Sequence, residues 1–256
     1  MKNAIYSGLD AEFYDELLDG EIDDLPFWRK LMSEPVLRAL EVGCGTGRIL
    51  LPLLQEGFRV DGVDSSATMV QLLREKASEE TYQTDIRVQR MEKLDLEKRY
   101  SLIFIPGFSL QMVPFRQLLK ESLLRFNKHL EPDGRLAVSL FFPWEEMEND
   151  QAGDWQLRKE VKRSDGSRLT CQQCSIIDME EQTLVVKNRY TLSDKSGNQL
   201  REELRDVPLL WCYPHEFHLL LEETGFELLE TYADFSDESL EEFTPHAVFL
   251  AKKIND

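Results

Sequence analysis

Residues 41–47 read Glu-Val-Gly-Cys-Gly-Thr-Gly, and this stretch limits the fold more than any other in the chain. Glycines alternate at 43, 45 and 47. Glycine accepts positive φ and lets backbone come close to a ligand. Val36 to Val42, just before the turn, is short and apolar like a buried strand. Ile49 to Gln55, just after it, has the apolar density of a helix, and Gly57 stops it. Strand, glycine turn and helix in that order begin a βαβ unit. The N-terminus of such a helix presents unpaired N–H groups to whatever lies above it.

The alternation continues. Phe58 to Val63 reads as a second strand closed by Asp64, and Ser66 fits the N-cap of a helix running to about Ala77. Further strands are expected at 86–88, 101–105 and 135–142, with a helix over about 114–130. From Trp155 to Val207 the pattern changes to short strand-like runs. Turn signals separate them at Asp165-Gly166, at Met179 to Gln182 and at Ser196-Gly197-Asn198. A helix from Pro214 and strands at 226–231 and 246–251 then resume the α/β pattern. The fold class is therefore α/β: a Rossmann-like, seven-stranded, mostly parallel sheet with helices on both faces, plus an antiparallel β insert. Residues 1–153 and 208–256 are expected to form the main domain, with 1–35 a helical lid that Pro35 ends. Residues 154–207 form the insert and would cap the substrate above the strand C-termini, the ligand side of such sheets.

Charge narrows the partners. Thirty Lys and Arg against 48 Asp and Glu leave a net charge of -18. Such a surface repels phosphate backbones and anionic lipid, so neither nucleic acid nor membrane is expected as partner. No stretch approaches the roughly 20 apolar residues of a membrane span. No signal-peptide core is visible, and the cytoplasm is the expected compartment. A homodimer stays open. Cys171 and Cys174 form a C-x-x-C, but strand residues three apart face opposite ways. No second cysteine or histidine pair follows at zinc spacing, so no metal is expected.

Asp64 lies 21 residues after Gly43 (64 − 43), where an acid can accept both hydroxyls of a ribose. A dinucleotide site reads G-x-G-x-x-G, with a pyrophosphate over the helix N-terminus. Here the spacing is G-x-G-x-G with Glu41 just before it, which would repel a pyrophosphate and suit an ammonium. That argues against a nicotinamide enzyme.

On the Glu41–Arg48 loop, the Gly-Val-Asp-Ser-Ser segment at 62–66 and the Leu-Glu-Pro-Asp-Gly turn at 130–134, residues 36–142 resemble a class I S-adenosylmethionine-dependent methyltransferase. Tyr14-Asp15, the late insert and the Pro214-His215-Glu216-Phe217 helix start are similar to bacterial small-molecule methyltransferases, including sugar N-methyltransferases. The resemblance implies S-adenosylmethionine as cofactor and S-adenosylhomocysteine as product. Gly43, Cys44, Gly45 and Gly47 would line the methionine end and Glu41 would help hold it. Asp64 would bind the ribose, Ser65 and Met69 would flank the adenosine, and Ser109 would lie close to the sulfonium. The family's acid after the third strand is replaced by Arg90, which leaves Met91 to pack on the adenine and Glu92 to stand in for the acid.

Methyl transfer from a sulfonium mainly requires alignment and exclusion of water, so no catalytic triad is needed. Candidate substrate contacts are Phe141, Trp144, Arg189, Tyr190, Trp211 and Tyr213, with His215 and Tyr14 as candidate catalytic groups. The expected reaction is transfer to nitrogen or oxygen of a small molecule. The alternative is a non-catalytic S-adenosylmethionine-binding regulator.

Overall fold

The computed structural model describes residues 6–18, 22–33, 38–77, 82–148, 153–241 and 243–255. Pro35, and Val36 and Leu37 at the start of the expected first strand, lie outside the described residues. The chain divides into two compact units, a hairpin unit (Met1–Ile22 and Pro143–Trp211) and a sheet unit (Asp23–Phe142 and Cys212–Asp256).

The chain opens with α1 (Leu9–Glu12), α2 (Tyr14–Leu18) and α3 (Leu25–Ser33). The glycine loop connects β1 (Ala39–Val42) to α4 (Leu50–Gln55), and β2 (Val60–Asp64) leads into α5 (Ala67–Ala77). Ser66 accepts the Met69 N–H at 3.3 Å, as an N-cap does. Then come β3 (Ile86–Val88), β4 (Tyr100–Ile105), α6 (Arg116–His129), β5 (Leu130–Phe141) and α7 (Trp144–Glu148). The antiparallel strands are β6 (Gln156–Lys162), β7 (Arg168–Asp178), β8 (Thr183–Ser193) and β9 (Gln199–Leu210). Last are α8 (Pro214–Glu223), β10 (Phe226–Ala233) and β11 (His246–Lys253).

In the sheet unit the strand order is β10-β11-β5-β4-β1-β2-β3. β1 to β5 run parallel, while β11 pairs antiparallel with both β5 and β10. The order reverses at β1, which lies between β2 and β4; in open α/β sheets such a switch point is where ligands bind, beyond the strand C-termini. All four residues of β1 are buried, which explains why its sequence is a continuous apolar run apart from Glu41. α3 covers one face: Trp28 is 1 % exposed and lies 5.5 Å, ring to ring, from Phe104 of β4.

β5 begins at Leu130, five residues before the expected strand. Its first residues pair with β4 across a register shift between Tyr100 and Leu102, and Asp133 takes φ 61 within it. In this way the expected turn is built into the strand's irregular start.

The hairpin unit is a four-stranded sheet in the order β6-β7-β8-β9, each pair antiparallel. The three turns read from the sequence fall between its strands. Its N-terminal helices pack on the hairpins. Leu9, Phe13 and Leu17 bury against Leu169, Cys171 and Tyr190 of the hairpins, so residues up to 22 group with the hairpin unit. Arg205 donates to the Ser7 carbonyl, and Glu203 accepts the Leu9 N–H. Residues from 23 onward, which include α3, group with the sheet. Cys171 and Cys174 are both buried free thiols in β7. No helix of the described residues is long and apolar enough to cross a membrane.

Candidate active site

The glycine loop follows β1 at the switch point. Gly43, Gly45 and Gly47 all take positive φ (78, 52 and 92°). Val63 at the end of β2 accepts the N–H groups of Gly43 and Cys44, at 2.8 and 3.1 Å. A Cβ on Gly43 would lie 2.6 Å from the Ser109 hydroxyl oxygen, so only glycine lets the loop pass beneath the β4 end. Cys44 turns the other way: its side chain is buried in the core and packs on Gly62, where a Cβ would meet the Cys44 sulfur at 3.0 Å.

Asp64 ties β2 to this loop. Its Oδ2 accepts the Gly45 N–H at 2.9 Å and its Oδ1 accepts the Ser66 N–H at 2.7 Å. Burial raises its pKa, and those backbone donors oppose the shift. Ser65 beside it is exposed, whereas Met69 is wholly buried in α5.

Two buried carboxylates on adjacent strands contrast sharply. Asp61 of β2, 2 % exposed, receives Arg38, Lys98, the Tyr100 hydroxyl and the Asp85 N–H. It is a fully satisfied structural anion. Glu41 of β1 is also 2 % exposed, but its Oε2 has no hydrogen-bond partner. Burial pushes the Glu41 carboxyl well above its ordinary range; Arg48 opposes this, and Asp24 and Asp64 add to it. The Arg48 guanidinium bonds Asp24, which is fully buried and also accepts the Trp28 indole N–H at 2.8 Å. A buried, unpaired carboxylate oxygen is destabilising unless a donor reaches it. Among the described residues no donor reaches Glu41 Oε2.

Arg90 stands where the family's acid is expected, and its guanidinium pairs with the buried Glu92 carboxylate. The substitution is thereby balanced within the short 3₁₀ turn Met91–Lys93, whose Met91 is half-buried.

Past β4, Phe108 adopts φ 59 and its N–H donates to Ser139 at 3.2 Å. The buried Gln111 side chain clamps the Phe141 backbone at both N–H (2.7 Å) and carbonyl (2.9 Å). Phe108 stacks on His246 with centroids 5.0 Å apart, and Phe141 and Phe235 lie within 6.4 Å of that imidazole. The result is a ring shelf at the C-terminal ends of β4 and β5, next to the glycine loop through Ser109.

Of the other expected residues, Tyr213 and His215 lie at the start of α8, stacked on each other 5.9 Å apart, with His215 exposed. Tyr213 accepts its helix's first-turn N–H, and its own N–H donates to Glu216 at 2.8 Å. The remaining five belong to the hairpin unit. Tyr14 lies edge-on to Tyr6, and Trp144 opens α7. The Arg189 guanidinium lies 4.2 Å over the Trp155 ring. Tyr190 and Trp211 are buried. Sequence reasoning missed Asp24, Arg48, Phe108, Phe235 and His246. An Asp four residues before a Trp was the only local signal among them.

The fold and the loop define a class: a Rossmann-like α/β sheet with a glycine loop at the β1 switch point. Residues 39–134 match the methyltransferase domain family. A methyltransferase-family protein of Geobacillus sp. (strain WCH70) is 26% identical over 95% of this chain and 98% of its own length. An S-adenosylmethionine-dependent methyltransferase from Clostridium acetobutylicum superposes with a TM-score of 0.80 at 15% identity, over 96% of this chain and 98% of that one. The sugar N-methyltransferase KedS8 from Streptoalloteichus sp. gives 0.76 at 17% identity, over 100% and 98%. Residues 39–134 are a methyltransferase domain, and the family match, the relatives and the fold together support a class I S-adenosylmethionine-dependent methyltransferase.

Proposed function

We propose that this enzyme methylates a nitrogen or oxygen of a small molecule, with an amine on a sugar-sized acceptor the best-supported class. The ring shelf carries the reading. Phe108, Phe141, Phe235 and His246 offer flat apolar faces one residue from Ser109, which abuts the glycine loop. Such faces suit the apolar side of a compact organic acceptor. A net charge of -18 disfavours polyanions and attracts amines. The similarity to KedS8, a sugar N-methyltransferase, adds weight on the nitrogen side.

The residues present fit S-adenosylmethionine. Glu41 would take its ammonium on the unpaired Oε2, and the backbone at Gly43, Gly45 and Gly47 would approach its methionine end. Asp64 would bind the ribose with lone pairs its backbone donors leave free. Ser65 and Met91 would border the adenine, with Glu92 standing in for the family's acid under the Arg90 guanidinium. Met69 would support the adenosine from beneath, and Cys44 would serve through its backbone. When bound, the cofactor supplies an electrophilic methyl on a good leaving group. The chain's own task is to align a neutral nucleophile and exclude water. Tyr213 and His215 are proposed acceptor contacts of the sheet unit, and Tyr14, Trp144, Arg189, Tyr190 and Trp211 are proposed acceptor contacts of the hairpin unit.

The test is a panel of glucosamine, other amino sugars, polyamines, phenols and sugar acids. S-adenosylhomocysteine release and a mass gain of one methylene are measured. Methylation of amino sugars is expected. Turnover confined to an RNA or protein substrate would overturn the reading.

A further inference from the structure

We propose that His246, held by Asp234, faces the transferable methyl and takes the proton that the methyl acceptor gives up. This rests on the small-molecule reading above. His246 opens β11 and pairs with Phe141 at the end of β5, so it stands on the same sheet edge as the β4 loop. Its ring is flat against Phe108, 17° from parallel. Ser109, the next residue, touches the glycine loop. The imidazole is therefore joined to the cofactor loop through two consecutive residues.

The ring is oriented for proton transfer. Nδ1 lies 3.1 Å from Asp234 Oδ1, so the neutral ring carries its hydrogen there and leaves Nε2 as a bare acceptor. Among the described residues Nε2 has no hydrogen-bond partner, and the side chain is 36 % exposed. Phe108, Phe141 and Phe235 pack on the ring without charge, so Asp234 is the charged group recorded against it. The backbone is held in unusual states to achieve this: Phe108, Asp234 and Phe235 all take positive φ (59, 45 and 59°) without being glycine. Such conformations persist where surrounding structure enforces them, commonly at functional sites.

In the step itself, the acceptor lone pair forms the bond to the methyl carbon as the carbon–sulfur bond breaks, and that bond's electron pair stays on sulfur. The acceptor proton passes to Nε2, and from the imidazolium to bulk water.

The test uses the full chain with isotope-labelled histidine, and needs no acceptor. NMR follows all four histidines through a pH titration, once with S-adenosylmethionine bound and once with S-adenosylhomocysteine. The two ligands differ by the methyl and one positive charge. His246→Gln assigns the resonance. The His246 resonances should titrate at a lower pH with S-adenosylmethionine than with S-adenosylhomocysteine, because a nearby positive charge disfavours the imidazolium. His218, on α8 and near Glu222, serves as the unmoved control. The ring ¹⁵N shifts should also report Nδ1–H and a bare Nε2. Identical His246 titration in the two complexes overturns the proposal, and so does the opposite tautomer. A failed acceptor panel alongside a shifted His246 would instead count against the acceptor class.

Discussion

Replacing Glu41 with glutamine separates a ligand role from a structural one, because the two predict opposite signs. The carboxyl is buried with one oxygen unpaired, and burial raises its pKa above the ordinary value near 4.5. A carboxyl with a raised folded pKa binds more protons folded than unfolded. Its contribution to stability is therefore fully present below about pH 4.5 and is lost as pH rises toward the folded pKa, at about 1.4 kcal/mol per pH unit. Glutamine keeps the shape without ionising, so Glu41→Gln should melt at or above wild type at pH 8. Cofactor affinity should move the other way. A charge-assisted hydrogen bond contributes about 1.5–3 kcal/mol, so S-adenosylmethionine should bind roughly 10- to 150-fold more weakly. Calorimetric titration in buffers of different ionisation enthalpy gives a second reading. Across a pH series, binding to wild type should show a proton release from Glu41 that the variant lacks, because burial holds that carboxyl above its ordinary range. A variant that melts lower and binds the cofactor as well as wild type would refute the assignment. Glu41 would then be structural.

Other perturbations test the frame around it. Asp64→Ala removes the acceptor for Gly45 and Ser66, so it should weaken cofactor binding at least tenfold and cost about 1 kcal/mol in thermal unfolding. Gly43→Ala meets both φ 78 and the Ser109 oxygen; it should destabilise by about 1–2 kcal/mol from backbone strain alone, and Ser109→Gly should restore only the part due to the clash. Arg48→Met strips the fully buried Asp24 of its cation, and calorimetry should show a loss of about 3 kcal/mol, the low end for buried pairs because Arg48 is 27 % exposed. Unchanged melting in Arg48→Met would refute a stabilising Arg48–Asp24 pair.

The order and type of most elements could be read from local pattern, because parallel strands and hairpins carry their signals within ten residues. The glycines from 43 to 47 are required by positive φ, which is a local demand. The start of the chain was harder: residues 6–18 look like a lid helix, but their partners Arg201, Glu203 and Arg205 lie about 190 residues away. In sequence Arg90 shows only the loss of the family's acid, and the fold reveals its pairing with Glu92. His246 was hidden for a similar reason. It reads as the first residue of a strand, and its partner Asp234 comes from the far side of a loop whose backbone strain leaves no compositional trace. His215, in a recognisable helix start, attracted attention by its motif and turned out to be exposed.

The placement of β11 has a consequence during synthesis. β5 acquires its outer neighbour from residues 105 positions later (246 − 141), after the entire hairpin unit has been made. At about 5–20 residues per second, the ribosome leaves the edge of β5 unpaired for roughly 5 to 20 s. That edge is almost wholly apolar from Leu136 to Leu140, a template for pairing with another nascent chain. The cell therefore handles an aggregation-prone intermediate each time this enzyme is made, and its yield should depend on chaperone supply more than its final stability suggests.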